Sequence, residues 1–340
     1  MNRKSKTALL TLYTIFCFCF YVGIVAWNGR NTPSQANVCA PVTSSLDFPD
    51  SYSAFCCDEK STGQKKQPWN RNMKIIAFAL FDNQNPSGQG VEIQSESSFS
   101  WYLEGALHNI QGARLYYPDW IVRIYVFGLS ETVEALLLES SNNAELVRCR
   151  ASSPLNISSS RKMTARFLSY DDPDTMYMIS RDLDSRFNPR ELFAVNEWIS
   201  SGAHFHVMRD HDQHDVPVLG GMFGIRRGAL KGKVPSMTNL LSSAFAQEPN
   251  GITGMRGEDQ SFLAKYVWPL VSSNTITHDV SEERCRRYGS SICLGFPMGD
   301  NDKHNTFVGQ DFKPSGHSAG MHVSQYKCTF ACEPSESKDF

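Results

Sequence analysis

The polarity pattern divides the chain into three unlike stretches. Residues 7–27, TALLTLYTIFCFCFYVGIVAW, form an uncharged, mostly apolar run. At helical rise such a run reaches about 30 Å, the thickness of a bilayer's hydrocarbon core. Residues 28–72 lose that pattern and are rich in Ser, Asn, Pro, Gln and Lys, the composition of a stem or linker. From residue 73 onward, short apolar runs alternate with amphipathic stretches. Residues 74–81, KIIAFALF, are nearly all apolar, as in a strand covered on both faces. A helical pattern follows over 98–110, with Trp101, Leu103, Leu107 and Ile110 as its apolar positions. Residues 120–126, 144–148 and 175–180 read as strands and 132–138 as a helix. This alternation predicts an α/β domain, Rossmann-like, with a mixed and mostly parallel sheet flanked by helices.

The most informative local pattern is TMYMISRDLDSR, residues 175–186. Here an apolar strand ends in Asp182 and Asp184, which puts carboxylates at a sheet edge, where α/β folds keep their ligand crevices. Two hard oxygen ligands suit Mn²⁺ or Mg²⁺, whose shells substrate phosphates commonly complete. Arg181 and Arg186 flank the pair, either as partners for a diphosphate or as an ion-pair network that neutralises it. A well-marked helix follows, with Asn188 as cap, Pro189 at the first position and Glu191 three residues after the cap. Leu192, Val195 and Ile199 give its apolar stripe and Gly202 its stop.

Three later clusters could carry chemistry. Residues 204–215 hold His204, His206, His211 and His214 with three aspartates, and read as a sugar pocket, a hydrated loop or a metal nest. VLGGMFGIR, residues 218–226, offers Gly220 and Gly221, which let backbone approach a ligand closely. The spacing matches neither a dinucleotide fingerprint nor a phosphate loop. Glu258 and Asp259 open a helix running to Trp268, before Pro269. There they complement the helix dipole or face the acceptor side of a crevice. His278-Asp279 follows another strand at 274–277 and offers a late metal or phosphate ligand.

Charge and cysteine usage set the compartment. The formal net charge is −2 with no basic stripe, which argues against nucleic acid as a partner. Arg3, Lys4 and Lys6 precede the apolar run, so the positive-inside rule keeps residues 1–6 in the cytosol and sends the rest across. A cleaved signal peptide is the rival reading. The run's length, its end at Trp27 and the lack of an Ala-x-Ala site favour an uncleaved signal-anchor. Cys17 and Cys19 lie within it. Cys39, Cys56, Cys57, Cys149, Cys285, Cys293, Cys328 and Cys332 lie beyond, an even number that suits disulfides in a lumenal chain. Connectivity stays open, although Cys285/Cys293 and Cys328/Cys332 could close short loops. No Cys-x-x-Cys spacing supports zinc. Asn156-Ile157-Ser158 is a glycosylation sequon, and residues 301–340 form a cysteine-containing C-terminal extension.

The order of cytosolic tail, anchor, stem, Asp-x-Asp strand, Gly-Gly strand, acidic helix start and late His resembles the GT-A type nucleotide-sugar glycosyltransferases of the secretory pathway. The resemblance spans roughly residues 73–300 and is most specific over 161–226. It implies sugar transfer from a nucleotide-diphosphate donor to a hydroxyl acceptor on a glycan, glycoprotein or glycolipid. The enzyme would be a single-pass type II protein of the Golgi or ER membrane with a lumenal catalytic domain. The resemblance further implies that Asp182 and Asp184 bind Mn²⁺ or Mg²⁺, with His278 as a third ligand. Asp82 and Asn83 would lie near the base or ribose, and Arg161, Arg166 and Arg181 near the diphosphate or donor sugar. His211, Gly220 and Gly221 would line the sugar pocket, and Glu258 and Asp259 would stand by the transferring carbon. Two other classes remain open. One is a lumenal metal-dependent hydrolase in which the four histidines of 204–215 converge on one ion. The other is a membrane-tethered carbohydrate-binding protein without turnover.

Overall fold

The computed structural model describes residues 55–57, 61–62, 72–81, 96–151, 159–249, 251–252, 257–297 and 307–312. The expected anchor at 7–27, most of the stem, Asp82, Asn83 and the sequon at Asn156 lie outside the described residues, as do Cys39, Cys328 and Cys332. Among the described residues, no helix is long and apolar enough to cross a membrane.

Two short strands come first, β1 (Phe55–Cys57) and β2 (Ser61–Thr62). Next are β3 (Met73–Phe81), α1 (Glu96–Tyr116), β4 (Ile121–Phe127), α2 (Glu131–Glu139) and β5 (Ala144–Ala151). A short α3 (Ser159–Lys162) then tightens into a 3₁₀ segment, Met163–Asp171, which leads into β6 (Thr175–Arg181). The chain continues through α4 (Pro189–Ser201), β7 (Phe205–Arg209), β8 (Met222–Arg226) and α5 (Met237–Gln247). It then forms α6 (Glu258–Phe262), a π-helical turn (Leu263–Val267) and α7 (Trp268–Val271) as one run. Pro269 has no N–H for the Lys265 carbonyl, a physical cause for the widened turn. A 3₁₀ turn (Ser272–Asn274) leads into β9 (Thr275–Asp279), and α8 (Glu282–Arg287) and β10 (Ile292–Leu294) follow.

All these strands join one mixed sheet in the order β1-β5-β4-β3-β6-β8-β7-β9-β10, with β2 also on β5. β5, β4, β3 and β6 run parallel, as do β7, β9 and β10. β8 lies antiparallel between β6 and β7. The alternating sides of β3 feed two cores. Ile75 and Ala77 join Phe167, Phe223, Phe245 and Phe262 beneath the 3₁₀ segment, α5 and the α6–α7 run. Ile76, Phe78 and Leu80 join Leu103, Ile110, Leu137 and Trp198 beneath α1, α2 and α4. Full burial of one such side chain contributes about 1.5–3 kcal/mol.

Part of the segment read as stem belongs to this sheet. β1 and β2 pair antiparallel with β5, and Cys57 is disulfide-bonded to Cys149 in that strand. Such pairing draws on the open edge of β5, a partner that lies far away in sequence and leaves no apolar period in 55–62. The Cys285–Cys293 bridge closes the short loop that its spacing allowed. Residues 307–312 also belong to the body, since Val308 is buried with Met208, Met222 and Phe296.

Candidate active site

Sheet topology selects the crevice. From β3 the chain crosses by α1 to β4, on the face of the second core. It returns from β5 to β6, on the other side of β3, through the 3₁₀ segment on the opposite face. The carboxyl ends of β3 and β6 therefore flank a topological switch point, where open α/β sheets bind their ligands. Asp182 is the first residue beyond β6 at that edge. Gly220 and Gly221 immediately precede the antiparallel β8, so they reach the same edge. β7 parallels β9 and also ends there, at Arg209.

Arg166, fully buried in the 3₁₀ segment, organises the centre. Its Nη1 donates to Asp182 Oδ1 at 2.5 Å and to the Arg181 carbonyl at 2.8 Å. Its Nη2 donates to Asp259 Oδ2 at 2.8 Å. Burial opposes the guanidinium charge, but Asp182 and Asp259 outweigh it and raise the proton affinity of Arg166. Asp259 is nearly buried, and that burial raises its carboxyl above the ordinary range despite Arg166. Asp182 keeps 41% of its side chain exposed and so faces the crevice.

Glycine is needed at both positions of the pair. A Cβ on Gly220 would lie 2.0 Å from Asp259 Oδ2, and one on Gly221 would lie 2.0 Å from Asp182 Oδ2. The backbone thus closes over both carboxylates. Gly224 serves packing instead, since a Cβ there would meet the Trp198 ring at 2.6 Å.

The Asp-x-Asp loop is held from behind. The Leu183 carbonyl accepts from Asn109 Nδ2 at 3.3 Å and Arg186 Nη1 at 2.8 Å, while α1 approaches it through Gly105. Phe312 N donates to the Asp184 carbonyl at 2.8 Å, and Trp101 Nε1 donates to the Phe312 carbonyl at 2.7 Å. Burial, reinforced by the neighbouring Asp182 charge, pushes the Asp184 carboxyl up to about 6.

Several expected site residues turn inward. Arg181 is 2% exposed; its Nε donates to Glu191 Oε1 at 2.6 Å and its Nη1 to the Ser180 carbonyl at 2.7 Å. Arg161 is buried over the Phe245 ring, and its Nε donates to Glu258 Oε1 at 2.7 Å. Glu258 therefore stands paired with Arg161. The reason is common to both pairs: a charge taken out of water needs a partner, and these guanidinium groups have theirs inside the body.

His278 does not join the acidic pair. It is fully buried in β9, with Nδ1 2.9 Å from His206 Nε2 and Nε2 3.1 Å from Glu197 Oε2. Burial lowers its proton affinity below the ordinary imidazole value. The four histidines of 204–215 do not converge either. His206 stacks on Trp198 within the second core's face, whereas His211 and His214 pack on each other and on Phe307. Among the described residues, no three His, Cys, Asp or Glu side chains form a metal-holding group.

Two features lacked a sequence signal. Asp210 takes a two-pronged bond from Arg190, at 2.7 and 2.8 Å, and accepts from Val308 N at 3.0 Å. It fixes the end of β7 to α4 and to the 307–312 segment. Lys162 Nζ stands over the Phe81 and Phe127 rings at the carboxyl edge. Neither contact follows from local spacing.

The donors at hand for a Mn²⁺ or Mg²⁺ ion are the carboxylates of Asp182 and Asp184. Two adjacent carboxylates, one displaced upward by burial and mutual repulsion, leave a negative excess that Arg166 alone does not balance. Gly221 lets the backbone lie so close to Asp182 that a Cβ would clash with its Oδ2 at 2.0 Å. Oxygen-only donors of this kind suit a hard divalent cation. Compared with protein-family models and with curated proteins, the chain matches none.

Proposed function

We propose that the protein is a metal-dependent glycosyltransferase with a GT-A-like catalytic body, moving a sugar from a nucleotide-diphosphate donor to a hydroxyl acceptor. We place it in the Golgi or ER membrane, tethered by the apolar run at 7–27 with the catalytic body in the lumen. The observation that carries the reading is the joining of Asp182 and Asp259 through one buried guanidinium, Arg166, beneath Gly220-Gly221 at the sheet's switch point. Four segments far apart in sequence supply these groups, and the charge they leave exposed is negative.

Mn²⁺ or Mg²⁺ held by Asp182 and Asp184 would supply Lewis-acid stabilisation to the departing nucleotide diphosphate. Arg166 fixes the direction of Asp182 and keeps Asp259 at its side, so both carboxylates are oriented before substrate arrives. Gly220 and Gly221 let the backbone close over Asp259 and Asp182. Asp259, its proton affinity raised by burial, is the carboxylate we assign to the acceptor hydroxyl as general base. Glu258 supports it indirectly by holding Arg161.

The test is titration of the full chain in detergent with Mn²⁺ and a panel of UDP- and GDP-sugars, following donor hydrolysis and transfer. Turnover should need the metal and should fall at least about a hundredfold in Asp184→Asn. If no donor binds or is hydrolysed, and Asp184→Asn changes nothing, the reading is wrong.

A further inference from the structure

The short segment 307–312 is tied to the carboxyl edge of the sheet at both of its ends. At its start, Val308 N donates to Asp210 Oδ2 at 3.0 Å, just beyond β7. The Val308 side chain is buried with Met208, Met222 and Phe296, and Met222 follows Gly221 directly. At its close, Phe312 N donates to the Asp184 carbonyl at 2.8 Å, and Trp101 Nε1 donates to the Phe312 carbonyl at 2.7 Å. With the N–Cα bond added, the Phe312 Cα lies within about 4.3 Å of that Asp184 oxygen. The charge of Asp311 reaches the Asp184 carboxyl, so this end of the segment stands beside the acidic pair.

Phe312 is left 40% exposed, against a chain whose aromatic side chains are otherwise mostly inside. Arg186 stands by its ring, with Cζ 5.7 Å from the centroid. The same guanidinium donates through Nη1 to the Leu183 and Ser185 carbonyls, both at 2.8 Å. Ring, guanidinium and acidic loop therefore form one unit. Because the N–H and the carbonyl of Phe312 both have partners, its backbone is ordered before a ligand arrives. A flat heteroaromatic ligand covers such a ring well, and every nucleobase has a π face to offer it. A nucleotide whose diphosphate lies at Asp182 and Asp184 carries its base on a short ribose tether. Phe312 is bonded to the Asp184 side of the crevice, whereas the carboxylate we assign to the acceptor is Asp259 on α6.

We propose that Phe312 is the stacking platform for the nucleobase of the donor, held in place by Trp101 and Arg186. The inference deepens the glycosyltransferase reading and rests on it. Calorimetric titration of the full chain in detergent tests it, using UDP, GDP and inorganic pyrophosphate, each with Mn²⁺. Phe312→Ala should bind the nucleoside diphosphate that the parent binds about tenfold or more weakly, the usual cost of a lost base–aromatic stack. Its affinity for pyrophosphate, which has no base, should stay at the parent's value. Phe312→Tyr should recover most of the lost affinity, and the melting temperature of Phe312→Ala should stay near the parent's. Leu115→Ala serves as the control and should bind as the parent does. Leu115 is 72% exposed and lies about 20 Å further along α1 than Trp101. Equal nucleoside diphosphate binding by parent and Phe312→Ala would overturn the platform and leave the glycosyltransferase reading standing. An equal loss of pyrophosphate, or a loss that comes with a lowered melting temperature and is not restored by Phe312→Tyr, would mark a support of the acidic loop and also overturn it. If the parent binds none of the three probes, both readings fall.

Discussion

Arg166 and Asp184 show opposite ways of handling charge at the same edge. Arg166 is out of water but bonded to two carboxylates and a carbonyl. Asp184 lies partly buried beside Asp182, and its carboxyl rises from the ordinary 3.8 to about 6. A raised folded-state value means the protonated form is favoured in the fold. The stabilisation is therefore fully present below 3.8 and is lost as pH climbs through about 6. Without metal, Asp184→Asn should match the parent near the lower value and become more stable than it above the upper one. After discounting for partial exposure, the advantage should be about 1–2 kcal/mol by urea unfolding. Adding Mn²⁺ should shrink it by stabilising the parent. A parent that gains on the variant as pH rises would contradict the repulsion. The residue types were legible in the sequence at this scale, because an acidic pair after an apolar strand is a local pattern. Their partners were not, since Arg166 and Asp259 stand 93 positions apart.

At the scale of elements, α4 shows how far local signals reach. Asn188 caps it by accepting from Glu191 N at 2.8 Å, and Gly202 ends it at φ 71°. Both features follow from sequence, as the apolar stripe does. Glu191, however, does not close a capping box. Its carboxylate accepts from Arg181 Nε at 2.6 Å and from Tyr117 Oη at 3.1 Å. The two positions should therefore differ in cost. Asn188→Ala should lose about 1 kcal/mol, the usual value of a cap. Glu191→Ala should lose about 3–5 kcal/mol, because it strands a buried guanidinium. Chemical unfolding of the two variants checks the order, and equal losses would refute the buried role of Glu191. The same limit governs the 3₁₀ segment. The 3₁₀ segment packs Phe167 between Phe223 and Phe262, and no 3.6-residue stripe records that arrangement.

Across the whole molecule, the disulfides differ in reach. Cys57–Cys149 ties β1 to the outer side of β5 over a separation of 92 residues, whereas Cys285–Cys293 spans 8. Chain-entropy arguments give about 4–5 kcal/mol for the first and about 2–3 for the second. The double variant Cys57→Ser/Cys149→Ser should consequently show the larger drop in melting temperature. A larger drop for Cys285→Ser/Cys293→Ser would contradict that account. The sequence by itself determined the α/β class, the positions of most strands and the strand-end acidic pair, because these arise from polarity periods and caps within a dozen residues. Tertiary structure alone decided that β8 runs antiparallel beside β6 and that β1 and β2 belong to the sheet. It also decided that Arg161, Arg181, Glu258 and His278 face inward and that Arg166 joins two carboxylates. Those outcomes depend on which distant group a buried charge finds as its partner, and a one-dimensional pattern does not carry that information.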